Sequence, residues 1–154
     1  MAMSNAVQHT HDAYVEINTL YGKQMVDRAS LLNFPEGLAG FEELHEFKLF
    51  HEEGTSMVYY LQSTEDPFIR FPMVPADACN IDYRIELSDE EADTLAIDAV
   101  EDVLLLVTIS DNPDEPGRGI TANLMAPIVI NAATRVGLQK PLQQIRGGVV
   151  FEAR

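Results

Sequence analysis

The stretch SMVYYLQSTEDPFIRFPMV, residues 56–74, carries two short runs rich in β-branched and aromatic residues on either side of an Asp66-Pro67 turn signal. Such residues suit a pleated, half-buried surface and a proline turns the chain, so the stretch reads as two strands joined by a turn. The pattern continues outward in both directions. AYVEINTL (13–20), KQMVDRASLL (23–32), FKLFH (47–51), NIDYRIEL (80–87), DVLLLVTIS (102–110), GITANLM (119–125) and PIVIN (127–131) are further strand candidates. Tyr21-Gly22, Glu53-Gly54, Asn112-Pro113, Pro116-Gly117 and Arg118-Gly119 punctuate them. Many short strands at close spacing predict an all-β, mainly antiparallel fold, a sandwich or a barrel.

One helix signal interrupts this pattern, in SDEEADTLAI (88–97). Ser88 followed at the third position by Glu91 is a capping-box pattern, in which hydroxyl and carboxylate each satisfy an orphan N–H. Asp89, Glu90 and Glu91 also suit the positive end of the helix dipole. The expectation is one short α-helix near residues 89–95, with Ala92, Leu95 and Ala96 turned inward. MAMSNAVQHTHD (1–12) is polar and without period, and reads as a flexible tail. Residues 13–154 show no repeat or linker and read as one domain.

The bulk composition narrows the function classes. Hydrophobic residues make up 46% of the 154 and charged residues 23%, the balance of a soluble globular protein. There is neither an apolar run of about 18 residues nor a basic-then-apolar N-terminus, so no membrane partner is expected. A lone cysteine, Cys79, cannot form an internal disulfide and points to a reducing cytoplasm. The formal charge is −15, and the acid is concentrated: residues 77–116 hold 13 acidic side chains and one basic one. Such a field repels nucleic acid, whose binding needs Lys and Arg against phosphates. It suits either plain solubility or a basic protein partner.

Little in the polar inventory points to catalysis. His9 and His11 lie in the tail, and His45 and His51 flank a strand at a spacing unlike that of metal ligands. The nucleophile elbow, the zinc-protease helix motif, C-x-x-C and G-x-G-x-x-G are all missing. No cofactor or metal is therefore expected. FPEGLAGFEEL (34–44) has paired glycines but no Lys or Arg beside them, and its glutamates would repel a phosphate. It reads as a rigid turn: Pro35 fixes the entry, Gly37 and Gly40 supply positive φ, and Phe34, Leu38 and Phe41 pack inward.

Three stretches in one order carry a resemblance. FPEGLAGFEELHEFKLF (34–50), YYLQSTEDPFIRFPMV (59–74) and ITANLMAPIVIN (120–131) resemble the FliW family of flagellar assembly factors, which covers about residues 13–142. Ala39 stands where that family commonly has proline and Met125 where it commonly has a polar or basic residue, and the tail after residue 142 is atypical. The resemblance implies a small β-barrel-like domain without catalytic activity. It also implies a cytoplasmic protein that binds flagellin and, when freed of it, the RNA-binding translational repressor CsrA. Asp82, Glu86, Asp111, Asp114 and Glu115 are then the expected acidic contributors to a partner face. Asn123, Met125 and Asn131 are further candidates, each an alternative to a purely structural role. Pro127 cannot donate to a ladder, which suggests an interrupted or edge strand open to a partner chain. Two rivals remain at this stage: a small-molecule-binding β-barrel, which needs an internal cavity, and a carboxylate-dependent hydrolase, which needs two converging acids.

Overall fold

The computed structural model describes residues 13–54, 57–79, 83–111 and 120–142. The 56–74 stretch forms β5 (Tyr59–Ser63) and β6 (Arg70–Pro75), antiparallel as expected, with Leu61 opposite Phe71. Its turn is built from side chains. Ser63 Oγ accepts from the N–H groups of Glu65 and Asp66, both at 3.0 Å, and Asp66 Oδ1 accepts from Phe68 N–H at 3.0 Å. Gln62 is buried and its amide donates to the Ser63, Pro67 and Ile69 carbonyls.

Around this hairpin the sheet closes. β3 (Leu31–Asn33), β4 (Glu46–His51), β5 and β6 pair in sequence; β6 pairs with β7 (Val103–Asp111), β7 with β9 (Ile128–Asn131), and β9 with β10 (Val136–Gln139). β10 returns to β3 in the one parallel pairing among the described residues, Val136 beside Asn33, and Asn33 N–H bonds to the Arg135 carbonyl at 2.8 Å. The result is a closed 7-stranded barrel. β8 (Ile120–Ala122) extends β7 beyond it, and β1 (Tyr14–Thr19) and β2 (Gly22–Asp27) form a separate hairpin. That hairpin buries Ile17 and Val26, and Tyr21 at its tip shares the Arg70 guanidinium with Tyr60, at 4.9 and 3.8 Å from the ring centroids.

The interior holds Phe34, Phe47, Leu61, Met73, Ile128 and Ile130, each 1% exposed or less. A second cluster lies outside the barrel wall, where Leu95 of α1 (Asp89–Leu95) packs on Val129 and Leu138. β9 is thus covered on both faces, Ile128 and Ile130 inward and Val129 toward the helix, so PIVIN is apolar throughout.

Several expectations change. KQMVDRASLL is broken by a 3-10 turn, Arg28–Ser30, into β2 and β3. The described part of NIDYRIEL, residues 83–87, joins no ladder. Its alternation instead puts Ile85 and Leu87 on the helix-side cluster. Leu95 is buried, but Ala92 and Ala96 are exposed, because a seven-residue helix lying on the barrel buries a narrow stripe. Pro127 does not mark an edge: it precedes a strand flanked by β7 and β10, and its carbonyl accepts from Lys140 N–H at 2.9 Å. Residues 1–12, expected as a tail, lie outside the described residues.

The β5–β6 turn also carries a pH prediction. Glu65 Oε2 accepts from the N–H groups of Glu46 (3.0 Å) and His45 (2.6 Å), fastening the turn to the start of β4. These bonds, that to Glu46 first, hold the Glu65 carboxyl below the usual range. Because the folded pKa is the lower one, the stabilisation is full above the unfolded value of about 4.3 and is lost as pH falls through the folded value. Glu65→Gln should lower the urea midpoint at neutral pH, and the gap to wild type should narrow in acid. An equal gap at both pH values would show that the carboxylate charge is immaterial.

Candidate protein-binding face

The turn at 34–44 has the predicted form. Gly37 and Gly40 have φ of 66° and 84°. A Cβ on Gly37 would lie 2.7 Å from the Glu42 Cα and the Phe41 carbonyl oxygen, so only glycine fits. Phe34 is fully buried, edge-on to Phe47 at 5.3 Å; Leu38 is buried, and Phe41 meets Phe71 edge-on at 5.2 Å. Pro35 is exposed at the turn's entry. Ala39 N–H donates to Gln139 Oε1 at 2.8 Å, joining the turn to β10.

Beside the turn lies α1, whose capping box forms as expected. Ser88 Oγ accepts from Glu91 N–H at 3.1 Å and Glu91 Oε1 accepts from Ser88 N–H at 2.8 Å. The same carboxylate oxygen meets Lys140 Nζ at 2.7 Å, and Lys140 first, then the cap, holds its pKa low. Glu91 is therefore engaged in the fold. Glu90 and Asp93 of α1 point to solvent, as does Glu86, since Ile85 and Leu87 take the inner positions on either side of it. Between turn and helix runs a groove with Leu38 and Leu138 at its base and Glu36, Glu42, Glu90 and Glu91 along it. Sequence reasoning missed this grouping. The acids of the turn and those of the helix were each legible, but nothing local shows that β10 brings the two segments together.

The other candidates divide. Asn123 and Met125 are exposed, and the Tyr83 hydroxyl, donating to the Leu124 carbonyl at 2.6 Å, ties their segment to the one bearing Glu86. Burial, the larger cause, and the neighbouring Cys79 push the Tyr83 pKa up to about 12. Asn131 is a correction: it is 1% exposed, its amide donates to the Leu95 and Ala96 carbonyls, and its Oδ1 accepts from Ala133 N–H. Its side chain holds the helix to the barrel and presents nothing to a partner. Asp111 is the last residue of β7, while Asp82, Asp114 and Glu115 lie outside the described residues.

Neither rival gains support. The aromatic and aliphatic side chains that fill the barrel take the space an internal ligand would need. Among the described residues, the two carboxyls with resolved shifts, Glu65 and Glu91, both go down, whereas a general acid needs its pKa raised. His45 Nδ1 lies 3.0 Å from the Phe34 carbonyl, His51 stacks on Tyr59, and burial pushes the Cys79 thiol up, away from a reactive thiolate. Among the described residues no three His, Cys, Asp or Glu side chains gather as a metal site. No described helix is long and apolar enough to cross a membrane.

The described residues thus form a filled β-barrel with a charged groove on its outer wall. Comparison with known proteins gives the family. Residues 16–150 match the model of the FliW protein family. The flagellar assembly factor FliW of Azoarcus sp. (strain BH72) is 34% identical over 139 residues, spanning 88% of this chain and 95% of the relative. That of Leptospira interrogans (serovar copenhageni) is 36% identical over 126 residues, 81% and 83% of the two chains. A crystal structure of the flagellar assembly factor FliW superposes with a TM-score of 0.75 at 32% identity, covering 85% of this chain and 91% of that one. The chain belongs to the FliW family.

Proposed function

We propose that the protein is a non-catalytic flagellar assembly factor of the cytoplasm, a chaperone that binds flagellin before export and, once released, captures CsrA. The observation that carries this reading is the outer face on which Glu86, Glu90 and Asp93 stand exposed, with no salt bridge to a cation among the described residues. An RNA-binding repressor is basic where RNA docks. Acids held beside that surface attract the protein and oppose its RNA, over a range set by a Debye length of about 8 Å. Asp82, Glu86, Asp111, Asp114 and Glu115 supply the field, with Asn123 and Met125 at its margin.

The test is calorimetric titration against purified CsrA and, separately, monomeric flagellin, each at low and high salt. CsrA binding should weaken with salt. Neutralising the five acids with Asn or Gln should cut CsrA affinity about tenfold at low salt and flatten the salt dependence. Unchanged affinity and salt slope would reduce the acidic face to solubilisation, and binding to flagellin alone would remove the CsrA arm of the proposal.

A further inference from the structure

The β1–β2 hairpin pairs with no described strand of the barrel, and a cleft runs between it and the outer face of β4, β5 and β6. Lys48, Gln62 and Arg70 stand side by side in that face, one on each strand. The two cations differ in their company. Lys48 has the charge of Asp27, at the base of the hairpin, beside it. Arg70 has two tyrosine rings instead: its guanidinium lies over Tyr21 at 4.9 Å and over Tyr60 at 3.8 Å. Among the described residues its side chain makes no salt bridge and no hydrogen bond. Glu52, in the same cleft, accepts from the Tyr60 hydroxyl at 2.8 Å, and Glu53 is exposed and does not reach the guanidinium.

We infer that Arg70 is a recognition point for a protein partner, taking an Asp or Glu side chain that the partner presents beside an apolar residue. Ring contacts use the face of a guanidinium. The N–H groups along its edge remain as donors, in a fork that matches the two oxygens of a carboxylate. The rings also hold the group in place before a partner arrives, so less freedom is lost on binding. The apolar half of the contact lies alongside in the chain. Tyr21 and Phe68 are 78% and 76% exposed, and the exposed Leu20 adjoins Tyr21. Tyrosine and arginine are the residues that most often dominate the energy of a protein interface. The net charge of −15 decides which acid fits. A free anion meets the whole acidic field for a single contact, whereas a carboxylate carried on an apolar segment adds burial against Tyr21 and Phe68. A partner's C-terminal carboxylate fits less well, since chain ends are captured by converging backbone N–H groups and this cleft is lined by side chains. The contact has the opposite charge logic to the acidic face and does not depend on the partners proposed for that face.

Amide NMR shifts of the 15N-labelled full chain, titrated with the peptide acetyl-Phe-Asp-Leu-amide and separately with its Asn counterpart, test the inference. The Asp peptide should bind about tenfold tighter, the ordinary margin of a hydrogen bond to a charged group, and should move amides at 20–24, 60–62 and 68–71. Arg70→Gln should make the two peptides equal. Arg70→Lys keeps a cation by the rings but loses the fork, and should shrink the margin. Absence of binding by either peptide, or equal affinity for the two in wild type, overturns the inference. So does an Asp preference that survives in Arg70→Gln, or shifts that centre on another face. Should Arg70→Gln release the hairpin, seen as shifts throughout 14–27 without peptide, Arg70→Lys decides, and an undiminished margin there overturns the inference.

Discussion

Gly137→Ala should destabilise the protein by about 3 kcal/mol or more, lowering Tm by about 6–12 °C for a chain of this size. The sign is the informative part. In an ordinary strand interior alanine is better than glycine by about 0.5–1 kcal/mol, because glycine loses more backbone freedom on folding. At Gly137 that gain is overwhelmed. A Cβ there would lie 2.5 Å from Phe34 Cζ and 2.6 Å from Cε2, and the ring cannot retreat, being fully buried and edge-on to Phe47. The cost falls on β10, the strand that closes the barrel by pairing with both β9 and β3. Phe34→Leu in the same chain separates the causes. Alone it leaves a void and destabilises; combined with Gly137→Ala it makes room, so the double variant should be more stable than the sum of the singles by about 1 kcal/mol or more. Strict additivity in urea unfolding would show that the ring is not what Gly137 accommodates.

The same residue explains why β10 went unread in the sequence. VGLQ has a glycine at its centre, which weakens a strand pattern, and its partner Asn33 lies about a hundred positions away across a parallel pairing that no local turn announces. Phe34 was read as a core residue of the turn, correctly, but its role in filling the space beside a distant glycine needs the closed barrel. Signals carried within a few residues were legible: the positive φ at Gly37 and Gly40, the Ser88–Glu91 box, the β5–β6 hairpin. Signals of burial without context misled. The described part of NIDYRIEL, residues 83–87, joins no ladder, and its alternation puts Ile85 and Leu87 against the helix-side cluster. Pro127 lacks an N–H, yet it stands before a central strand, where its carbonyl is what the fold uses. The candidate face was half legible for the same reason. Acidic segments show in a sequence; the groove that joins two of them through β10 does not.

Asn131→Ala should cost about 2–3 kcal/mol and loosen α1 more than the barrel. Asn131 Nδ2 donates to the Leu95 carbonyl at 2.8 Å and more weakly to that of Ala96 at 3.3 Å, while Oδ1 accepts from Ala133 N–H at 3.0 Å. These are the carbonyls at the C-terminal end of α1, where Ala96 sits at φ 50°, a left-handed conformation that costs a non-glycine residue about 1 kcal/mol. The clamp therefore holds the helix end in a conformation its own sequence disfavours. Thr134 Oγ1 donates to the Leu95 carbonyl as well, at 3.0 Å, so that acceptor keeps one partner in the single variant. Adding Thr134→Val removes it, and the pair of substitutions should exceed the sum of its parts. Ala96→Gly relieves the strained φ and should recover about 0.5–1 kcal/mol in either background. The readout is urea unfolding together with amide exchange over residues 89–97, which should rise before exchange in β5 or β9 does. Partner binding is also expected to weaken, but only in proportion to that loosening, because Glu90 and Asp93 are presented by the helix that Asn131 secures. Normal stability and normal helix exchange with partner binding abolished would mean that Asn131 meets the partner directly, and the clamp would have to be abandoned.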